Sequence, residues 1–296
     1  LDETNKMKKT LLKFKHVAVL AHQKLEDTFA EAQQVGAYLI EHGIQSTVSL
    51  INDEGLTTML AAKEFDLVVT LGGDGTVLRA GHLCAPHNVP ILPINFGAFG
   101  FLIEVQGHNW SQALDRVIRG DYWLEQRMLM RADHLRGEEC LGSWEVVNDA
   151  VIGRGYMVRP VHLAAHLDGH TLATYVTDAL IVATPTGSTA YAMAAGGPVL
   201  PPGLRNLLIV PVAPHLSIDR AIVLAEGSNI SVEVRSDHEA ILSIDGKTPV
   251  TLLEGDRINV RVSEHTLQFV RFQDANYFYR NLVSLMDQNP SAGARE

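Results

Sequence analysis

One stretch constrains the fold of this chain more than any other: an apolar run, Leu67-Val68-Val69-Thr70-Leu71, that empties directly into Gly72-Gly73-Asp74-Gly75-Thr76. Apolar and β-branched residues in unbroken succession read as a buried strand. The residues that follow, from Thr76 to Leu83, read as helix. A strand, a glycine turn and a helix in that order place unblocked backbone N–H groups at a helix N-terminus. The missing Cβ atoms and the helix dipole both favour a phosphate there. Taken alone, the same residues fit an ordinary β-to-α turn equally well, with Asp74 only capping the helix.

Strand and helix alternate around this stretch. His16 to Ala21 reads as a short buried strand, and Lys24 to His42 carries Phe29, Ala32, Gly36 and Leu39-Ile40 at helical spacing as far as Gly43. Ser46 to Leu50 is a second strand, Leu56 to Lys63 a helical segment and Pro90 to Asn95 a further strand. The alternation predicts an α/β domain over residues 16–120 with an open, mostly parallel sheet. Ligands of such sheets collect at the carboxyl ends of the strands. Gly72 to Thr76 and the loop Asn95 to Phe101 both fall at such ends. A helix is expected from His108 to Arg119, closed by Gly120.

Beyond Tyr122 the runs become short and alternating, divided by Gly, Asp and Asn turns: Trp144 to Asp149, Val161 to Leu167, Thr171 to Val176 and Ala179 to Ala183. Leu207 to Val212, Asn229 to Val234, Ala240 to Ile244, Arg257 to Val262 and Leu267 to Phe272 continue the series. They predict a β-rich second domain over 121–275, as antiparallel meanders or a sandwich, with Asp168-Gly169 a hairpin turn. Residues 1–15 read as an N-terminal extension, 276–288 as a closing segment packed back on the first domain, and 289–296 as a disordered tail.

Charge and cysteine usage narrow the partners. Counting 24 Lys and Arg against 34 Asp and Glu gives a net charge of −10, which opposes general binding of nucleic acid. The cysteines, Cys84 and Cys140, stand far apart in no metal-ligand spacing, so a reducing compartment, the cytoplasm, is expected. Met7-Lys8-Lys9-Thr10-Leu11-Leu12 opens like a secretory signal, but Lys13, Lys15 and His16 interrupt it, and Met7 is a candidate start. No run reaches the length of a membrane-spanning helix, and no membrane partner is expected.

The densest unusual stretch is Thr184-Pro185-Thr186-Gly187-Ser188-Thr189-Ala190-Tyr191, running on to Pro198. Hydroxyls and small residues after the strand Ala179 to Ala183 leave room for a ligand and supply donors to bind it. A tightly packed helix N-terminus, capped by Ser188 or Thr189, accounts for them as well. His162, His166 and His170 recur every fourth residue, but the Asp168-Gly169 turn separates the last of them, and a solvated strand face is expected in place of a zinc set. Gly246-Lys247-Thr248 lacks the first glycine of a P-loop, and no Gly-x-Gly-x-x-Gly follows the first strand.

In combination these stretches resemble the NAD kinase family over most of the chain. Gly72 to Thr76 matches its glycine motif, Asn148-Asp149 its asparagine-acid pair, and Asp178 to Pro198 its long signature. Weaker matches are Gly97 with Gly100-Phe101-Leu102, Pro214 to Ser217, and Asp245-Gly246. The resemblance implies transfer of the terminal phosphoryl group of ATP, or polyphosphate, to the 2′-hydroxyl of the adenosine ribose of NAD, with a divalent cation such as Mg²⁺. It implies a homodimer or homotetramer, and NAD and ATP as small-molecule substrates.

Phosphoryl transfer needs positioning and charge neutralisation more than covalent chemistry, so a glycine loop, a cation and one carboxylate suffice. Asp74 is the candidate proton acceptor, with Gly72, Gly73, Gly75 and Thr76 near the phosphates. By resemblance Asn148, Asp149, Thr186, Thr189, Ala190 and Tyr191 hold the adenosine part of NAD, Phe101 lines that pocket, and Asp178 meets the nicotinamide end. No metal ligand is assigned. The chain departs from the family at Asp149, where Glu is usual, and at Ala98, Ala179, Ala183 and Ala221. These departures leave open a kinase of the same superfamily with another acceptor, such as a nucleoside, sugar or lipid. A catalytically silent NAD-binding regulator is the alternative from outside the enzymes.

Overall fold

The structure is a computed structural model and describes residues 14–23, 25, 28–97, 100–215, 218–274, 276–280 and 282. Most of the expected extension, the end of the closing segment, the expected tail, Ala98 and Leu216-Ser217 lie outside the described residues. The fold divides into two compact units, one formed by the chain up to Gln126 together with Leu267 onward, the other by Arg127–Thr266.

In the first unit β1 (His16–Ala21), α1 (Thr28–Glu41), β2 (Gln45–Leu50), α2 (Gly55–Ala61), β3 (Leu67–Gly72), α3 (Asp74–Cys84), β4 (Ile91–Asn95), β5 (Val105–Gln106) and α4 (Trp110–Arg119) follow one another. The order β4-β3-β1-β2 is parallel, with Val68 opposite Ile91, Val17 opposite Leu67 and Val17 opposite Ser46. Every residue of β3 and β4 is buried. That is why these strands carry unbroken apolar runs and no in-out alternation. β2 forms the edge and is only partly buried.

Helices α1 and α4 bring Ala32, Val35, Leu39, Leu114 and Val117 into one core with Val19, Val69 and Leu92. α1 closes where Gly43 N–H donates to the Ile40 carbonyl at 2.9 Å and Ile44 N–H to the Leu39 carbonyl at 2.9 Å. This paired pattern needs a left-handed residue, and Gly43 supplies it with φ at 77°. The helix expected from His108 begins at Trp110, after a single 3₁₀ turn over Gly107–Asn109, and ends at a left-handed Gly120.

Strand β6 (Trp123–Arg136) carries the chain onward, and the second unit is almost entirely β. It holds β7 (Glu139–Val146), β8 (Asp149–Arg154), β9 (Val161–Leu167), β10 (His170–Thr177), β11 (Ala179–Ala183), α5 (Tyr191–Ala194), β12 (Leu207–Val212), β13 (Ile222–Leu224), β14 (Ile230–Val234), β15 (Ala240–Ile244) and β16 (Val250–Leu252). Strand β17 (Arg257–Arg271) leads out of it. One antiparallel sheet has the order β13-β12-β11-β8-β15-β16. Against it β10, β9, β14 and the start of β17 form a second antiparallel layer. Leu180, Val182, Ile152 and Leu242 from the first layer meet Leu163, Tyr175, Val232 and Ile258 from the other in a single core.

Two sequence expectations change here. The run Trp144 to Asp149 is two strands, because the amides of Val147, Asn148 and Asp149 turn to the Asp245 carboxylate instead of a ladder partner. Arg257 to Val262 and Leu267 to Arg271 lie on one strand, since Ser263-Glu264-His265-Thr266 holds no glycine or proline to divide them, and Phe272 lies just past its end. The Asp168-Gly169 hairpin forms between β9 and β10, with φ at 50° and 82°. Among the described residues no helix is long and apolar enough to cross a membrane.

Leu71, fully buried at the end of β3, is the last core residue before the glycine turn. Leu71→Ala is expected to cost about 2–5 kcal/mol of unfolding free energy, the range for a buried leucine whose cavity only partly relaxes. Urea denaturation followed by circular dichroism measures it.

Candidate active site

In the first unit the glycine turn is shaped by close approach. Thr76 N–H and Val77 N–H both donate to the Gly73 carbonyl, at 2.9 and 3.3 Å, and close the first turn of α3. The Thr76 side chain lies over Gly72, where any Cβ would strike it. The loop after β4 comes nearly as near, for a Cβ on Gly97 would stand 3.2 Å from the Gly73 nitrogen. Gly75 instead faces open space, so the turn keeps one unobstructed side.

Gly73 occupies the cap position of α3, and the Asp74 carboxylate reaches across to the loop after β4. Phe101 N–H donates to Asp74 Oδ2 at 2.8 Å and Leu102 N–H donates to Oδ1 at 3.2 Å. A side chain at Gly100 would collide with that carboxylate. The glycine before Phe101 is therefore a steric requirement of Asp74. Asp74 and Phe101 are both partly exposed. The loop is braced from its other end, where Gly97 N–H donates to Asn95 Oδ1 at 3.1 Å.

The second unit assembles its own cluster at one end of the six-stranded sheet. Register sets Ala183 of β11 opposite Asp149 of β8, and Ile244 of β15 opposite Ala150. Asn148-Asp149, Asp245 and the block from Thr184 thus converge. Asp245 accepts N–H bonds from Val147, Asn148 and Asp149 at 2.9, 2.7 and 3.0 Å. Its own N–H donates to the Asp149 carbonyl at 3.0 Å. Thr184 N–H donates to the Asn148 carbonyl at 2.9 Å and Thr184 Oγ1 to the Val147 carbonyl at 2.5 Å. Gly187 lies so close to the Asn148 carbonyl that no Cβ fits.

Within the block the hydroxyls divide their work. Ser188 Oγ donates to the Pro185 carbonyl at 2.6 Å and accepts from Leu200 N–H at 2.9 Å, so it is a fully buried structural tie. Thr189 Oγ1 donates to the Thr186 carbonyl at 3.2 Å. Thr186 is 4% exposed, whereas Tyr191 is 45% exposed.

Asp178 is placed apart from this cluster. It precedes Ala179, which pairs with Gly153 at the far end of β11 from Ala183 and Asp149. At about 3.3 Å per residue the strand puts roughly 13 Å between Ala179 and Ala183. Asp178 is partly exposed and pairs with Arg154 Nε at 3.2 Å.

Asp149 is buried, and its carboxyl is pushed up to about 7, first by burial and then by the negative charge of Asp245. A lone acid at this position would be ionised across the neutral range. Here it exchanges its proton within that range.

Residues 2–122 match the ATP-NAD kinase N-terminal domain and residues 147–272 the ATP-NAD kinase C-terminal domain. A NAD kinase of Chloroflexus aurantiacus is 38% identical over 268 residues, covering 90% of this chain and 97% of the relative. The chain belongs to the NAD kinase family. Among solved structures, the yeast NADH kinase complexed with NADH has the same fold, with a TM-score of 0.82 at 24% identity, over 96% of this chain and 91% of that one. A NAD kinase from Archaeoglobus fulgidus in complex with ATP aligns with a TM-score of 0.72 at 25% identity, over 91% and 98% of the two chains.

The glycine turn lies within the matched N-terminal domain, and the Asn148-Asp149 and Thr184 clusters lie within the matched C-terminal domain. Two contributors were given no role by the residue pattern. Asp245 entered only through the weak Asp245-Gly246 match, and its left-handed φ of 48° beside Gly246 at 69° marks its turn. The Leu102 amide carries no side-chain signal at all.

Because the folded value of Asp149 stands above the ~3.9 of an unfolded aspartate, folding favours the protonated form. That contribution is complete below about pH 4 and is lost as pH rises through about 7. The unfolding free energy is expected to fall by about 1.4 kcal/mol from pH 6 to pH 8 through this group. Asp149→Asn removes the ionisation. Paired denaturation curves at the two pH values should lose that increment in the variant.

Proposed function

We propose that this NAD kinase family member transfers the terminal phosphoryl group of ATP to the 2′-hydroxyl of the adenosine ribose of NAD, giving NADP. The observation that carries the reading is the fixed Asp74 carboxylate, held by two main-chain N–H groups beside a glycine turn with one open side. The 38% identity to a protein named NAD kinase supports the same acceptor.

In this reading the phosphates of ATP lie against Gly72, Gly73, Gly75 and Thr76, where the N-terminus of α3 favours negative charge. Asp74 takes the 2′-hydroxyl proton as the oxygen attacks the terminal phosphorus, and ADP leaves with the electron pair of the broken bond. Asn148 and Asp149 hold the adenosine ribose and base, with Thr186, Thr189, Ala190 and Tyr191 around them, and Phe101 is assigned to NAD as well. Asp178, at the other end of β11, serves the nicotinamide end of a dinucleotide laid along that strand.

Among the described residues no three His, Cys, Asp or Glu side chains gather into a metal cage. Magnesium fits as part of the nucleotide substrate, because it keeps several waters and takes one or two carboxylates plus phosphate oxygens. Bound there, it neutralises charge developing on the phosphates. We further propose a cytoplasmic homodimer or homotetramer.

Two measurements test this. NADP formation from NAD with ATP and magnesium should exceed that with polyphosphate as donor or with any nucleoside, sugar or lipid as acceptor; a faster alternative acceptor would displace NAD. Asp74→Asn is expected to lower kcat by about 10²- to 10⁴-fold, the usual contribution of a positioned proton acceptor, with an unchanged circular dichroism spectrum. Full activity in that variant removes Asp74 from the proton transfer.

A further inference from the structure

Arg271 is 1% exposed in the first unit, and its guanidinium is committed to two acceptors. Nε donates to Glu125 Oε2 at 2.8 Å, and Nη1 donates to the Leu102 carbonyl at 3.0 Å. Glu125, 5% exposed, also lies 3.4 Å from the Tyr277 hydroxyl, which donates to it. The guanidinium stacks over the Phe269 ring, 4.7 Å from its centroid. Coulombic attraction to Glu125 keeps Arg271 charged in spite of its burial.

A buried ion pair is a poor device for stability, since desolvation of the two charges commonly offsets their attraction and an apolar pair does as well. What this pair does touch is the segment that fixes Asp74. The Leu102 residue whose carbonyl accepts from Arg271 is the one whose N–H donates to Asp74 Oδ1. Two residues on, Glu104 accepts N–H bonds from Phe272 at 3.2 Å and Gln273 at 2.8 Å, directly after Arg271 in the chain. The loop after β4 is thereby held by the end of β17 at consecutive points.

We propose that Arg271, paired with Glu125, is a positioning residue for phosphoryl transfer: by holding the Leu102 carbonyl it sets the Phe101 and Leu102 amides that orient the Asp74 carboxylate. Arg271 touches no reacting atom. Its effect passes through one peptide segment to Asp74, and the inference rests on the reading in which Asp74 accepts the ribose proton. Lysine does not replace arginine here, because a single ammonium cannot direct planar donors to Glu125 and Leu102 at once.

The test compares wild type with Arg271→Lys and with the double variant Arg271→Met/Glu125→Met, which removes both charges and leaves neither buried alone. The double variant is expected to keep its melting temperature within a few degrees, as apolar replacements of buried pairs commonly do. Its kcat should fall about 10- to 100-fold, the order expected when a reacting group is displaced by about 1 Å, with KM for NAD and ATP nearly unchanged. Arg271→Lys should lie between. Hydrogen exchange at the Phe101 and Leu102 amides should quicken in both variants while that of the β3 amides stays slow.

Wild-type kcat in the double variant would overturn the proposal, as would unaltered exchange at Phe101 and Leu102 in Arg271→Lys. If wild type forms no NADP from any donor, the functional reading fails by itself. The exchange rates then still decide whether Arg271 sets those two amides.

Discussion

A carboxylate that takes main-chain N–H groups from a distant loop is the constraint on which the first unit's candidate site depends. Asp74 leaves the glycine turn at the end of β3 and bonds to Phe101 and Leu102, beyond β4. Charge-assisted bonds of this kind are stronger than neutral ones and fix direction as well as distance. Gly100 must lack a side chain so that the carboxylate can fit, and Gly97 so that the two loops can approach. These two glycines are thus consequences of one interaction.

The second unit solves the same problem by the same means. Asp245 collects three successive amides, and this interrupts what would have been a strand through Val147 and Asn148. The interruption turns Asn148 and Asp149 toward the block at Thr184, where Gly187 packs against the Asn148 carbonyl. Asp149 is then buried beside a second carboxylate, and its raised proton affinity follows from that placement. In both units a backbone-bound aspartate shapes the loop.

Much of this was legible in the sequence, for identifiable reasons. β1, β3 and β4 are buried on both faces and so announce themselves as continuous apolar runs. Gly43, Gly120 and Asp168-Gly169 sit at left-handed φ values that few other residues adopt, and each marks an end that the structure keeps. The motif residues Gly72 to Thr76, Asn148-Asp149 and Thr184 to Tyr191 were likewise visible, because their small and polar character is unusual after a strand. The role of Ser188 was not: a hydroxyl reads the same whether it awaits a ligand or ties Pro185 to Leu200.

By itself, then, the sequence determined the α/β and β-rich halves, most strand positions and the family, since periodicity and glycine placement are local properties carried by consecutive residues. Tertiary structure decided which distant groups meet. It brought the amides of Phe101 and Leu102 to Asp74, set Asp245 beneath Asn148-Asp149, paired Phe269 of β17 with Ile91 of β4, and buried Arg271 against Glu125 and Leu102. Main-chain donors and acceptors are the same at every non-proline residue, so no side-chain pattern signals which of them a distant side chain will take.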